Sequence, residues 1–412
     1  MSSHAFCEAL SRAPRAASFP PPFVDTQVFV RCDYNCPLNK DGSVADDFRV
    51  RASLPTLTHI LKEGPKRLVV ATHFGRPKGP EEPGGKNSTL RFVAILSDLL
   101  GLPVTFLPKG LETPAEEVGE GAAAGGGGGG GPMVYLMENT RFHPFEEKPA
   151  KLPDFKLAFP VDVFVNEAFS ASHRDHMSVT HIKAKDMCNG FQLLREVLCL
   201  DRILGRAGET VVAVVGGSKM EDKIPMLQTL RDRVDLIAIG GNNVNAITKN
   251  PSLLDPVRGS RAQILLLDDG FGNATPDMEP LYAADAATAS HPLMDAGPKG
   301  LNKLAAWVNK ADIVFWNGAL GITEHPFYKQ GSEALVHLLK QAPGNVVIGG
   351  GDTAGFVNDY PVDFFHVSTG GGASIDYLTK ESLVGICYYD EQESRRLRSG
   401  SVDLKGAPAA VP

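Results

Sequence analysis

Short β-branched and aliphatic runs alternate with helix-length segments over nearly the whole chain. The runs that read as strands are 27–31, 67–72, 103–107, 133–138, 161–166, 210–215, 235–239, 263–268, 312–316, 345–348 and 363–367. Between them, Leu54, Leu57 and Leu61 recur at helical spacing, as do Val93, Leu96 and Leu100. Strands that are apolar throughout, rather than alternating, must be covered on both faces. With helices between them they predict parallel sheets. About eleven strands exceed what one compact sheet usually holds. The pattern therefore predicts an α/β protein of two Rossmann-like lobes, each a parallel sheet flanked by helices.

Phe191, Leu194 and Leu198 form an apolar stripe that predicts a connecting helix, with Gly205 and Gly208 after it. The expected organisation is an N-terminal extension over 1–24, a first lobe over 25–185 and an interdomain helix and hinge over 186–208. A second lobe follows over 209–388, with a tail over 389–412. The polyglycine stretch 121–132 cannot build a core and reads as a surface insertion.

Composition narrows the function. The 412 residues carry 41 Lys+Arg against 48 Asp+Glu, a formal net charge of −7, which argues against a general nucleic-acid or anionic-membrane binder. No apolar stretch approaches the roughly 18 residues of a membrane helix. The six cysteines show no paired spacing, and Cys32 and Cys36 read as small buried hydrophobes rather than metal ligands. A cytoplasmic protein is the expectation. Residues 1–24, rich in Ser, Ala and Pro with Arg12 and Arg15, give only a weak organelle-targeting signal.

In open α/β sheets, ligands bind beyond the carboxyl ends of the strands. In the first half those ends are followed by Asp33 and Asn35, by His73 and Arg76, by Arg141, and by His173 and Arg174, with Arg49 just ahead of a helix. Each arginine alone would pass for a solvated loop residue. Several on one edge of an acidic protein read as a pocket for a small, multiply anionic substrate, because the guanidinium fork matches carboxylate and phosphate oxygens. In the second half the strand ends are glycine-rich. Gly216 and Gly217 are followed by Lys219 and Lys223, and Gly240 and Gly241 end the next strand. Asn317 follows a third, Gly349–Gly351 with Asp352 and Thr353 a fourth, and Gly370–Gly372 a fifth. Such turns can cradle phosphates at helix N-termini. Asp352 could hold a Mg²⁺ that bridges nucleotide phosphates, or simply cap a helix. Neither a P-loop nor a dinucleotide fingerprint is present, which counts against a standard P-loop ATPase and a nicotinamide-dependent dehydrogenase.

The segments RCDYNCPLNKDG, DDFRVRASLPT, THFGRPKG, MENTRFHPFEE, VNEAFSASHRDH, VVGGSKMEDKI, VFWNGALGITE, IGGGDTAGF and HVSTGGGAS, in this order, resemble the signature series of the phosphoglycerate kinases. The resemblance runs from about residue 25 to 388. It implies reversible phosphoryl transfer between 1,3-bisphosphoglycerate with MgADP and 3-phosphoglycerate with MgATP, in glycolysis, by a monomer whose lobes close. Carried over by motif, Asp33, Asn35, Arg49, His73, Arg76, Arg141 and Arg174 would hold 3-phosphoglycerate. Gly217, Lys219, Lys223, Gly240, Gly241, Asn317, Glu324, Gly349, Gly350, Gly351, Asp352 and Thr353 would serve the nucleotide, with Glu324 at the ribose and Asp352 at Mg²⁺. Arg49, Lys219, Gly371 and Gly372 would act on the phosphoryl group in flight, Arg49 and Lys219 meeting only on closure. The sequence departs from the family pattern at Asn242, Asn243, Gly300, Ala319 and Thr323, around the implied adenine pocket, and more mildly at Cys32, Cys36, Glu167 and Ser170. A catalytically weakened homologue with a ligand-binding or regulatory role is the alternative these departures leave.

Overall fold

The computed structural model describes residues 22–118, 133–205, 208–368 and 370–387. The expectations for most of the N-terminal extension, for the polyglycine insertion and for the tail from 389 on lie outside the described residues.

The described residues divide into two compact units, the first formed by those from 22 to 198 together with 382–387 and the second by those from 199 to 381. The first unit holds a parallel sheet of six strands: β1 (Gln27–Asp33), β2 (Arg67–His73), β3 (Val104–Leu107), β4 (Met133–Met137), β5 (Val163–Asn166) and β6 (Asp186–Asn189), in the order β3-β4-β2-β1-β5-β6. Alternate residues of its strands feed two apolar layers. Val28, Val30, Leu68 and Val70 lie in one core, and Phe29, Val69 and Phe164 in the other. That double burial is the reason these strands read as unbroken apolar runs.

The other unit has its own six-stranded parallel sheet. Its strands are β7 (Val211–Val215), β8 (Leu236–Ile239), β9 (Gln263–Leu266), β13 (Ile313–Asn317), β14 (Asn345–Gly349) and β15 (His366–Val367), in the order β15-β14-β13-β7-β8-β9. Three further strands, β10 (Gly270–Gly272), β11 (Leu281–Ala283) and β12 (Leu293–Ala296), form a small antiparallel sheet. In each large sheet the chain leaves its first strand to one side and later returns to the other. The resulting switch points are β1/β5 and β7/β13, where a crevice opens at the carboxyl ends.

The structure revises several boundaries. Phe23, assigned from sequence to the extension, is 2% exposed, packs in the first core and meets His59 edge-on. The sequence expectation ran the second lobe to residue 388, whereas that unit ends at Glu381. The next residues are tied to the first unit by side-chain amides. Asn166 Nδ2 donates to Gly385 O at 2.6 Å, and Asn189 bonds both the N–H and the carbonyl of Cys387. The hinge region 186–208 opens with an edge strand, β6, before its helix Phe191–Gly205. The antiparallel strands were missed because GFG and LYA are too short to show a period.

Candidate active site

At the carboxyl edge of the first sheet, Asp33 ends β1 and is 7% exposed. Its Oδ2 pairs with Arg49 and accepts a hydrogen bond from Ser170 Oγ at 2.5 Å, across the β1/β5 switch point. Its Oδ1 accepts from the N–H of Asn35 at 3.1 Å, and the Asn35 side chain in turn accepts from Gly75 N at 2.9 Å. Burial opposes ionisation of Asp33, but Arg49, His73 and these donors outweigh it and hold the carboxyl below its ordinary range. A depressed carboxyl contributes stability above its unfolded pKa near 4 and loses it as pH falls through the folded value. Asp33→Asn should therefore make stability less dependent on pH below about 4, as read by denaturant midpoints across pH 2–5. An unchanged acid limb would count against the pair.

His73, at the end of β2, is 8% exposed. Burial first, then Arg31, pushes its imidazole well below the usual histidine range, so it is neutral at neutral pH. Arg31 NH2 lies 3.2 Å from His73 Nδ1. A guanidinium can only donate, so Nδ1 accepts and the ring proton sits on Nε2, where it can donate to an anion. Arg141 donates to Gly75 O at 2.7 Å and pairs with Glu147 at 2.9 Å. Arg76 and Arg174 are exposed, and Arg174 Nε donates to His173 Nε2 at 3.1 Å.

The residues that hold this edge together include Asn139, which the sequence places just after the strand 133–138 without assigning it a role. Arg31 is fully buried and bonds Ser178 Oγ at 2.7 Å and the Cys32 carbonyl at 2.5 Å, and Glu146 bonds Ser178 from the other side. Asn139, also fully buried, bonds both the N–H and the carbonyl of Phe74 and accepts from the N–H of Arg141. Arg31 was overlooked because it lies within a strand. A charged residue inside an apolar run was the available signal.

In the other unit the glycines after β7 and β13 let two turns touch. An added Cβ on Gly216 would stand 2.3 Å from the carbonyl oxygens of Gly318 and Ala319. Gly216 N donates to Asn317 O at 2.9 Å and Gly217 N to Ala319 O at 2.8 Å, while Gly240 N donates to Val215 O at 3.0 Å. These amides, read from sequence as facing phosphate, are thus satisfied within the protein, and the glycines serve close backbone approach. Gly241 and Gly349 also lie against the turns, Gly349 as the last residue of β14.

Two helix N-termini offer further amides, which their own helices cannot satisfy. Gly351–Asn358 and Gly371–Lys380 start with glycines, and the first N–H groups of a helix have no partner within it. The two starts are neighbours, since a Cβ on Gly371 would lie 3.2 Å from Gly351 N. Gly350 is the N-cap of the first helix, so Asp352 is not its cap. Asp352 is exposed in the first turn. Thr353 is buried, and its Oγ1 accepts from Gly318 N at 2.8 Å, a structural task that the ligand reading did not foresee. Lys223 Nζ donates to Asn317 Oδ1 at 2.5 Å. Burial lowers the Lys223 ammonium, against the opposing pull of Asp222 and Asp352. Asn317 is 1% exposed and its Nδ2 has no hydrogen-bond partner, an orphaned donor close to Gly349 and Gly350. Lys219 and Glu324 are exposed, each in a turn after its strand.

Among the described residues, no three His, Cys, Asp or Glu side chains cluster as a ready-made metal cage. An exposed carboxylate, Asp352, beside two adjoining helix starts is a donor set that fits Mg²⁺, which keeps its waters and binds through one or two carboxylates plus substrate phosphates.

The phosphoglycerate kinase family model matches residues 22–253 and 252–381. The chain belongs to the phosphoglycerate kinase family. A phosphoglycerate kinase of Anaeromyxobacter dehalogenans (strain 2CP-1 / ATCC BAA-258) is 33% identical over 385 residues, covering 87% of this chain and 95% of the relative. One from Coprothermobacter proteolyticus is 34% identical over 389 residues, with the same coverage. Two solved structures share the fold at 24% identity. The phosphoglycerate kinase of Coxiella burnetii superimposes with a TM-score of 0.71 over 94% of this chain and 100% of that one. That of Pyrococcus horikoshii OT3 gives 0.72 over 93% and 98%. Family membership accounts for the two parallel-sheet units and for the order of the nine motifs.

Three of the departures from the family pattern, Asn242, Asn243 and Gly300, have structural roles. Asn243 is fully buried and its Nδ2 donates to Gly216 O at 3.0 Å, while Asn242 Nδ2 donates to Ser218 O at 3.1 Å. Together they pin the turn that carries Lys219. Gly300 lacks a side chain where Asp269 Oδ1 accepts from its N–H at 2.6 Å, and a Cβ there would crowd Asp269 and Leu267.

Proposed function

We propose that the chain transfers a phosphoryl group reversibly between the carboxylate of 3-phosphoglycerate and ADP, using the first unit for the acid and the second for the nucleotide. What supports this reading is a donor-rich cluster at the carboxyl edge of each large sheet, together with a buried His73 whose Nδ1 lone pair is already taken up by Arg31 and so is no free base. In the ATP-consuming direction, a carboxylate oxygen of the acid attacks the γ-phosphorus and the bond to the β-phosphate oxygen breaks, releasing ADP and an acyl phosphate. The attacking group carries no proton, so a general base has nothing to remove. Catalysis then rests on positioning and positive charge around the three equatorial oxygens.

Asp33, Asn35, Arg49, His73, Arg76, Arg141 and Arg174 bind the acid and its phosphate. Lys223, Asn317 and the helix starts at Gly351 and Gly371 bind the nucleotide phosphates, with Glu324 at the ribose. Lys219, Arg49, Gly371 and Gly372 stabilise the group in transit. Asp352 would hold Mg²⁺, which when bound neutralises phosphate charge. Reacting atoms must approach to about 3–3.5 Å with water excluded, which is why lobe closure belongs to this reading. Among the described residues, Cys32, Cys36 and Cys188 are buried thiols outside any disulfide, which supports work in a reducing cytoplasm. No helix among the described residues is long and apolar enough to cross a membrane. We read the protein as a monomer.

A coupled assay with 3-phosphoglycerate and ATP, repeated with GTP, tests the reading. Turnover should be detected with ATP and vanish on chelation of divalent cations, returning on addition of Mg²⁺. No turnover with either nucleotide would refute it. Asp352→Ala should raise the Mg²⁺ concentration giving half-maximal rate about tenfold. An unchanged Mg²⁺ dependence would remove Asp352 from that role.

A further inference from the structure

Glu167 is a buried carboxyl, 3% exposed, that has no use in the chemistry above. It follows β5, and its backbone N–H donates to Arg31 O at 2.9 Å. Its Oε1 accepts from Thr56 Oγ1 at 2.6 Å, and both carboxyl oxygens lie 3.2 Å from Gln192 N. Thr56 Oγ1 in turn accepts from Phe191 N at 2.8 Å. Glu167 and Thr56 therefore satisfy the first free amides of the helix Phe191–Gly205, which a helix start cannot satisfy itself.

A second observation is independent of those bonds. A Cβ on Gly190 would fall 1.8 Å from Glu167 Oε2 and 2.6 Å from its Cδ. The carboxyl occupies the space that a side chain at 190 would take, a place that only a glycine leaves open. Burial lifts the carboxyl to about 8, so at neutral pH it sits there mostly uncharged, without needing a cation.

Two further connections join this cluster to the acid site. Thr56 lies on the helix Phe48–Lys62, two turns beyond Arg49 and on the same face. Three residues after Glu167, Ser170 donates to Asp33 Oδ2.

We propose that Glu167 and Thr56 form a positioning latch for the acid site, fixing the Arg49 helix and the Ser170 loop against the start of helix 191–205 so that Arg49 and Ser170 meet Asp33 in register. The latch acts through these residues and touches no substrate. It rests on the reading of Asp33 and Arg49 as the acid site.

Thr56→Val keeps the shape and removes the hydroxyl that serves both partners. In the full chain it should raise the KM for 3-phosphoglycerate about tenfold, with the KM for MgATP within about twofold. Thr56→Ser restores the hydroxyl, and Glu167→Gln keeps an acceptor oxygen. Both should stay within about twofold of the parent at pH 7. A lower melting temperature with both KM values unchanged would reduce the cluster to a structural role and overturn the latch. So would equal rises in both KM values, or a Thr56→Ser variant as impaired as Thr56→Val. Should Thr56→Val fail to fold, Gly190→Ala, which evicts the carboxyl, reads the same KM ratio. Arg49→Ala separates the two layers: an unchanged KM for 3-phosphoglycerate in that variant refutes the acid-site assignment, whatever the latch variants do.

Discussion

Lys219→Ala is expected to lower turnover by about 10³-fold while the KM for 3-phosphoglycerate stays within about threefold. Removing one preorganised donor from a site where charge develops typically costs 10²–10³ in rate, and a full positive charge lies at the upper end of that range. Lys219 is exposed on the turn after β7, and that turn is not loose. Asn243 holds Gly216 O, Asn242 holds Ser218 O, and Gly217 N is bonded to Ala319 O. The lysine thus extends from a fixed base, which limits the reorganisation needed as charge moves onto the phosphoryl oxygens. Steady-state rates in both directions measure the effect. A variant retaining a tenth or more of the parent turnover would exclude the role. A parallel rise in substrate KM would make Lys219 a binding group instead.

Gly318→Ala should destabilise the second unit by about 3 kcal/mol and weaken nucleotide binding with it. Gly318 has φ +97°, a region that side chains disfavour, and an added Cβ would lie 2.3 Å from Gly216 O and 2.4 Å from Gly216 C. These contacts are backbone on backbone, so no flexible side chain can yield. The turns after β7 and β13 would have to part, breaking the bonds from Gly216 N to Asn317 O and from Gly318 N to Thr353 Oγ1. Asn317 would move with them, taking the acceptor of Lys223. Denaturant unfolding and the thermal shift produced by MgADP measure the two parts. A parent-like midpoint together with a parent-like shift would show that the turns can separate at no cost.

The strands were legible in the chain because both faces of each sheet are buried, which writes unbroken apolar runs such as VVAVV and RLVVAT. The connecting helix was legible through Phe191, Leu194 and Leu198. Strands such as β6, DMCN, and β10, GFG, carry too little apolar length to show a period, and only pairing identifies them. Phe23 and the Leu383–Cys387 stretch look like connection by composition. They join the first unit through long-range contacts that no local window contains.

The candidate site divides along the same line. The residues proposed to meet a ligand stand at or just after strand ends, because parallel sheets open there, so Asp33, His73, Arg141, Lys219 and Asn317 could be picked from their positions alone. Residues that hold them could not: Arg31 and Glu167 are fixed by partners 147 and 111 positions away, Ser178 and Thr56.

The amino-acid order by itself determined the two α/β units, the family, and which strand ends carry the arginines, histidines and lysines proposed to bind anions, since each is written in local pattern and motif. Only the tertiary structure decided which glycine amides are consumed within the protein, where the proton sits on His73, and which buried groups brace the site. Those depend on approach distances between segments far apart in the chain, and spacing along a sequence holds no information about them.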